Sequence, residues 1–547
     1  MKKYISLKRN YITIGIYFLF ASILFNFYKF TVAQDLIQYL SISHKYLSGD
    51  FGTAINGVWG PLLSWLLIPM LWIKVPDIFC FKILQILIGS VFLFWSINFV
   101  ETKLHLDQDK IWNNLVLYPA IIIILFYYIF LTGTSDLLLS TLILIYLYII
   151  IGKQYTEGRK LGIICGAIGA LSYFAKSFAL PFFLIHFLLI HIFYYNKYSD
   201  RRKIILSNFI GGLMVFVIFC SIWILLLSNK YGYITYSTAG NYNFNITGPA
   251  YKGIHTLRIE KLYPPVNSTA TSYWEDPTYL LVKKWYVFSS PGQFFYLLKN
   301  IINNIRIFSF FFFSFSLFLV PLIILMMNNL RTGETVKLLA FSMALYIAGY
   351  LIFFIEERFF ILPQILLVII TFCLLKRLFN NYPRLKKYKL LFYLLFFISV
   401  SIKPGFSLVK NINSDMDNYY LAEKLKTLKI QGNFAGMSKT PLAKDWGNTL
   451  FIAYQLNSKF YGEISPTLNQ DSLYSELKKY HINYLFVWSS QITILQPNMH
   501  KVTENYITFE KDKKILTVNN FTKRIYSIFN LKGTSSDDKY LKIYKLD

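Results

Sequence analysis

Few residues of this chain combine a reactive side chain with a setting that would make it react, and those few lie at the edges of apolar stretches. Asp35 stands in Gln34-Asp35-Leu36-Ile37-Gln38-Tyr39, directly after an apolar run from Tyr11 to Ala33. It is followed by Leu47-Ser48-Gly49-Asp50 and by Trp59-Gly60-Pro61-Leu62, where a Gly-Pro turn opens an apolar helix. A carboxylate at a membrane–water boundary can take the proton from a hydroxyl whose oxygen attacks an electrophilic carbon. It can also help to hold a divalent cation, or serve only as a polar residue flanking a helix. A second acid, Asp136, ends Thr132-Gly133-Thr134-Ser135-Asp136, a very short turn between two apolar runs. It could join Asp35 in metal and acceptor binding, and a helix N-cap by Ser135 or Asp136 fits the same residues.

Two cations complete the set. Lys176, in Ser172-Tyr173-Phe174-Ala175-Lys176-Ser177, is a lone ammonium in apolar surroundings. Such a group needs an anionic partner, for example a phosphate, or it snorkels to the interface. Arg358, in Glu356-Glu357-Arg358-Phe359-Phe360-Ile361-Leu362-Pro363, can grip a phosphate through two parallel hydrogen bonds or pair with Glu356 or Glu357. The stretch from Tyr251 to Trp285 holds His255, Tyr263, Pro264, Pro265, Trp274, Glu275 and Asp276. Its rings suit stacking on sugar faces and equally an interfacial aromatic belt. Tyr263, Trp274 and Glu357 are the residues expected against substrate. His44, His186 and His191 lack metal-ligand spacing and are expected to be interfacial or buried. Sequons at Asn245, Asn267 and Asn520 are near chance in an Asn-rich chain. No Walker motif or glycine-rich dinucleotide loop appears in the expected cytoplasmic loops.

The elements that must position these residues are membrane helices. Of 547 residues, 55% are hydrophobic and 19% aromatic, and only 15% are charged, against about 25% in soluble domains. The net charge of +27 is scattered among apolar spans, which favours membrane orientation and anionic lipid over nucleic acid as its purpose. All four cysteines, Cys80, Cys165, Cys220 and Cys373, fall inside expected spans, so no disulfide or Cys-metal framework is available. About eleven segments of spanning length are expected, near 11–33, 79–100, 115–132, 137–151, 161–178, 179–195, 204–228, 305–327, 336–355, 359–376 and 389–405. With the N-terminus inside, the loops at 152–160, 196–203, 328–335 and 377–388 are cytoplasmic, and they carry Lys and Arg as the positive-inside rule demands. The short apolar run 61–73, with Pro61 and Pro69, reads as a juxtamembrane or re-entrant helix within the first external loop, 34–77. A second external loop spans 229–302. From about Lys410 the composition changes to alternating helix-like and strand-like stretches, expected as a soluble extracytoplasmic α/β domain over 410–547 behind a membrane domain over 1–409.

On the acid after the first span, the Gly-Pro-led helix and the Arg-containing Leu-Pro segment, the sequence resembles the lipid-dependent membrane glycosyltransferases of the GT-C fold. The likeness is to the bacterial branch related to protein mannosyltransferases and aminoarabinose transferase. That resemblance implies an enzyme moving a sugar from a polyprenyl-phosphate donor to a lipid, glycan or protein acceptor at the outer face of a bacterial cytoplasmic membrane. It implies Asp35 as catalytic carboxylate with Asp136 beside it, Lys176 and Arg358 on the donor phosphate, and a divalent metal on Asp35 and Asp136 as the one cofactor in view. Phe359 stands where the family usually has Tyr. A transporter or lipid-glycan flippase would instead need ionisable groups deep within several spans, and an oligosaccharide polymerase or ligase would share the external-face chemistry.

Overall fold

The computed structural model describes residues 10–104, 110–252, 261–280, 282–315, 333–438, 445–489, 492, 494, 499–503 and 541–546. The basic residues before Asn10, the second half of the expected 305–327 span, Arg331, His255 and the Asn520 sequon lie outside the described residues. The chain forms two compact units.

The first unit comprises Met1–Lys29, Trp59–Gly240 and Tyr286–Ile412, and the elements formed by its described residues are all helices. Among the described residues eight helices are long and apolar enough to cross a membrane: Tyr11–Tyr28, Asp77–Lys103, Lys110–Thr132, Ala179–Lys197, Ser199–Tyr231, Glu334–Leu351, Glu357–Asn381 and Pro383–Lys410. The shortest, of 18 residues, rises about 27 Å, close to the thickness of a hydrocarbon core. Ser135–Ile150 and Leu161–Ala175 are shorter apolar helices, and Pro291–Phe315 is a further long one. These are eleven helices, and they match the eleven expected segments in order. The protein is thus a multi-pass membrane protein.

Boundaries differ from the expected ones for identifiable reasons. The first helix stops at Tyr28, and the next begins at Gln34. The Leu161–Ala175 helix ends before Lys176, whose backbone is extended at φ −159°. Helix Lys389–Lys410 runs through Pro404. The run 61–73 does form a helix, Pro61–Trp72, with Pro61 at its first turn, where a missing N–H costs nothing.

Small residues set the closest helix packing. A Cβ on Gly162 would stand 1.8 Å from the Asn208 carbonyl oxygen, and one on Gly166 would stand 2.1 Å from that of Gly212. Leu161–Ala175 and Arg202–Tyr231 therefore meet backbone to backbone, as Gly-x-x-x-Gly helices do where lipid offers no hydrophobic drive to associate. The other side of Arg202–Tyr231 is open and apolar, with Leu225 68% and Ile218 57% exposed. On a spanning helix that side faces lipid.

The second unit comprises Phe30–Val58, Asn241–Trp285 and Asn413–Asp547. Both loops expected outside the membrane thus contribute to the compact unit that holds the C-terminal segment. Its sheet has the order β2-β1-β3-β5-β4, with β1 Asn433–Ser438, β2 Lys459–Glu463, β3 Tyr484–Trp488, β4 Met499–Thr503 and β5 Lys542–Leu546. Strands β1, β2 and β3 are parallel, with Phe434 beside Phe460 and Ala435 beside Leu485; β5 runs antiparallel to β3 and to β4. Helices Asp445–Gln455 and Gln470–Lys479 are the crossovers, as parallel neighbours require. Ala435, Met437, Leu473, Leu477, Leu485, Val487 and Tyr544 lie in the core. Strand β1 is the element that its residues conceal: Asn433-Phe434-Ala435-Gly436-Met437-Ser438 has little β-branched character. Its interior place in the sheet, between β2 and β3, goes with burial on both faces, with all but Asn433 covered.

Candidate functional site

The expected site residues fall into two clusters, one in each unit.

In the helical unit, Asp136 lies in the first turn of Ser135–Ile150. The residue that caps this helix is Thr134, whose hydroxyl accepts from the Asp136 amide and donates to Asp136 Oδ2 at 2.7 Å. Ser135 and Asp136, the expected caps, are already inside the helix. The carboxylate, only 2% exposed, is thereby free to face charge. Lys176 Nζ donates to its Oδ1 at 2.5 Å, and Arg358 Nε lies 3.9 Å from its Oδ2. Lys176 thus meets an acid instead of snorkelling. Arg358 also donates to Glu356 Oε2 at 2.6 Å, while Glu357 pairs with Lys403.

Rings floor this cluster. The Lys176 ammonium stands 4.1 Å from the Phe359 ring centre and 5.5 Å from that of Tyr350. Tyr350 stacks on Phe359 at 4.7 Å and on Phe178 at 4.0 Å. A cation over such rings gains about 0.5–2 kcal/mol, more as it is desolvated. The ring face is all that this contact uses, so Phe at 359 serves where a Tyr would. The Gly-Pro turn has a packing purpose here: a Cβ on Gly60 would come within 2.4 Å of the Phe174 carbonyl oxygen and 2.6 Å of the Ala175 one. Gly60 therefore lets the chain abut the helix end from which Lys176 emerges.

Lys403 was not singled out from sequence, although a lysine within an apolar run is an expensive residue that wants a partner. Its side chain is 5% exposed and bonds Glu357, with Ser314 Oγ at 3.5 Å. Lys82, 2% exposed, likewise donates to the Phe130 carbonyl at 2.9 Å. His186 and His191 are buried and bonded to Tyr146 and Tyr155, and among the described residues no group of three or more His, Cys, Asp or Glu could hold a metal ion.

In the second unit, Asp35 lies in the first turn of Gln34–Leu47, where the helix dipole favours its negative charge. It is half-buried, and its Oδ1 accepts from the Trp274 indole N–H at 3.3 Å. The start of this helix is fixed from two sides. Thr31 meets Ser414, with the hydroxyls 3.0 Å apart, and the Val32 amide donates to Asp415. Gly447 leaves room for Gln34, since a Cβ there would stand 2.5 Å from Gln34 Nε2.

Trp274 itself is 6% exposed, so its ring is packed and its N–H is what it presents to Asp35. Tyr263 is half-buried beside Tyr273, ring centres 5.1 Å apart, and its amide donates to the Tyr461 carbonyl at 2.7 Å. The whole segment is stitched to β2: the Phe460 amide donates to Thr271, and Lys459 Nζ donates to the Ser268 and Ala270 carbonyls at 2.6 and 2.7 Å. Burial, and then the charge of Lys45, pull the Lys459 pKa below the ordinary lysine value, against the opposing pull of Glu275.

The expected metal pair does not suit a divalent ion at Asp136. One oxygen of that carboxylate takes an ammonium and the other a hydroxyl, with a guanidinium behind it. A metal ion there would have to displace positive charge.

No protein-family model matches the sequence, and no curated protein matches it significantly. The structure is similar to the crystal structure of ArnT from Cupriavidus metallidurans bound to undecaprenyl phosphate, at 12% identity and a TM-score of 0.51, over 90% of this chain and 96% of that one. The apo-state crystal structure of ArnT covers 97% of each chain at 11% identity and a TM-score of 0.46. The first likeness establishes the fold alone: a GT-C fold of membrane helices carrying a small sheet-containing domain.

Proposed function

We propose that this protein transfers a sugar from a polyprenyl-phosphate-linked donor to an acceptor hydroxyl or amine at the outer face of a bacterial cytoplasmic membrane. The observation that carries the reading is the convergence of Lys176 and Arg358, from separate segments, on one buried carboxylate, Asp136. Their cationic side chains are 25% and 22% exposed, enough to take a second anion. A phosphate is the anion whose charge and geometry match an ammonium beside a guanidinium.

In the proposed reaction Asp35 accepts the proton of the acceptor as its oxygen or nitrogen forms a bond to the anomeric carbon. The bond from that carbon to the phosphate oxygen breaks, and its electron pair leaves with the polyprenyl phosphate. Lys176 and Arg358 offset the charge that grows on this leaving group, a stabilisation made only as the bond breaks. The indole N–H of Trp274 holds the Asp35 carboxylate in place, and Tyr263 and Glu357 contact substrate. No step is routed through a metal.

The test is sugar transfer by the purified protein in lipid, with a panel of radiolabelled polyprenyl-phosphate sugars and total cell-envelope acceptors. Label in an acceptor with at least one donor is the expected result. No transfer from any donor, together with protein-dependent movement of intact lipid-linked glycan across the bilayer, would replace this reading by a flippase.

A further inference from the structure

One polar group in the second unit is more deeply buried than any expected site residue there, and the reaction above does not use it. Glu275 is 1% exposed and Lys45 is 3% exposed, and their side chains form an ion pair. Three further bonds complete it. Ser41 Oγ donates to Glu275 Oε2 at 2.6 Å, Lys45 Nζ donates to Asn267 Oδ1 at 3.2 Å, and Asn56 Nδ2 donates to the Glu275 backbone carbonyl at 2.7 Å. Asn267 in turn accepts from the Thr269 and Ala270 amides, so the pair is tied to the whole bend that leads to residue 275.

Its place explains what it does. Ser41 and Lys45 belong to helix Gln34–Leu47, which carries Asp35 in its first turn. Positions 35, 38, 41 or 42 and 45 follow helical spacing along one side. Glu275 is the chain neighbour of Trp274, in the single 3₁₀ turn Tyr273–Glu275. The helix is therefore joined to that turn at two points. One is the indole–carboxylate bond at Asp35, which is long at 3.3 Å and partly open to solvent. The other is a buried, fully bonded ion pair nearly three helical turns further on. A buried pair adds little net stability over an apolar pair of equal size, whereas its loss on one side leaves an uncompensated charge. What it fixes well is register, because only one placement of the turn satisfies all of its bonds.

We propose that Lys45 and Glu275 are positioning residues for the reaction: they lock the Tyr273–Glu275 turn onto the Asp35 helix and so hold the Trp274 N–H against the Asp35 carboxylate. This rests on the assignment of Asp35 as the base. The pair touches neither donor nor acceptor, so its loss lowers the rate of the chemical step and leaves donor affinity alone.

The experiment compares wild type with Glu275→Gln, Glu275→Asp, Trp274→Phe, Asp35→Asn and Asp35→Asn/Glu275→Gln. Each is purified in lipid nanodiscs and assayed for transfer from one radiolabelled polyprenyl-phosphate sugar, with donor KM and kcat separated. The result expected is a kcat about 10–100-fold lower in Glu275→Gln with donor KM within about 2-fold, recovered to within about 5-fold of wild type in Glu275→Asp. Trp274→Phe shows a loss of similar size, and Glu275→Gln has no further effect on the residual rate of Asp35→Asn. A kcat for folded Glu275→Gln equal to wild type would overturn the proposal while leaving Asp35 as base. So would a Glu275→Gln loss that persists undiminished in the Asp35→Asn background, the mark of a merely structural role. Should Glu275→Gln fail to fold, Trp274→Phe and the apolar pair Lys45→Met/Glu275→Leu carry the test, with the latter expected to fold and to show the same loss of kcat. Full activity in Asp35→Asn is a separate outcome: it removes the base, and this proposal with it.

Discussion

At the residue scale, the helical unit is organised by an acid that attracts two cations. Asp136 is buried and Lys176 is its nearest partner, at 2.5 Å. Replacing Lys176 by Met leaves the carboxylate without its ammonium. In a fully enclosed pair that costs 3–5 kcal/mol, and with the Lys176 side chain 25% exposed the expected loss is smaller, about 1–3 kcal/mol after allowing for solvent screening. Thermal unfolding in detergent should show Lys176→Met below wild type and Lys176→Met/Asp136→Asn largely recovered. Donor binding, measured with a radiolabelled polyprenyl phosphate, should be weakened in both, and recovery of binding in the double variant would remove Lys176 from the phosphate site. Phe359→Leu takes the ring from under the ammonium and should weaken donor binding about 2–5-fold, the measure of a half-exposed cation–π contact, with Phe359→Tyr close to wild type. Because the Asp136 oxygens are already engaged by Lys176 and Thr134, treatment with EDTA should leave the transfer rate within about 2-fold. A loss restored by Mg²⁺ or Mn²⁺ would show that the reaction needs a metal and contradict this expectation. Asp136, Lys176 and Arg358 were legible in sequence because they are the few charged residues set against apolar runs in segments expected on the external side, whereas Lys403 was passed over. Glu356 as a partner of Arg358 was legible too, being two positions away, but the meeting of Asp136 with Lys176 and Arg358 was not, since Asp136 and Lys176 are separated by 40 positions and Arg358 comes from a third segment.

At the element scale, glycine decides how the helices meet. The Gly166 to Gly212 approach leaves no room for a side chain, with a Cβ at 2.1 Å from a backbone oxygen, so the strain cannot be relieved by a rotamer change. Gly166→Leu should abolish a monodisperse folded peak in size-exclusion chromatography, whereas Gly15→Leu, at a position with open space around it, should not. The helices themselves were readable from apolar run length, and most described ends to within about five residues, whereas helix Pro291–Phe315 begins well ahead of the expected 305, inside what reads as external loop. The ends that mattered most were set by contacts that no local pattern encodes: Lys176 leaves its helix one residue beyond Ala175, where Gly60 abuts the chain. In the sheet, β2 and β3 carried an apolar, aromatic signature, while β1 gained its interior position from neighbours on both sides.

At the scale of the whole molecule, the chain joins a helical membrane unit to a second unit built from three separate stretches, Phe30–Val58, Asn241–Trp285 and Asn413–Asp547. That composite unit was hidden because a linear reading assigns loops to the spans that they connect. Its physical signal was present in part: an expected connection of residues 229–302 between spans, rich in Tyr, Asn, Pro and Gly, is too long to be a bare linker. Asp35 and Trp274 lie in that unit, and Asp35 is the residue on which the proposed chemistry turns. The most direct test is single-turnover transfer from a radiolabelled polyprenyl-phosphate sugar by wild type and Asp35→Asn at matched folded protein. Loss of a general base costs about 10²–10⁴-fold in rate, so the account predicts a fall of that size with donor binding unchanged. An Asp35→Asn rate equal to wild type would contradict it.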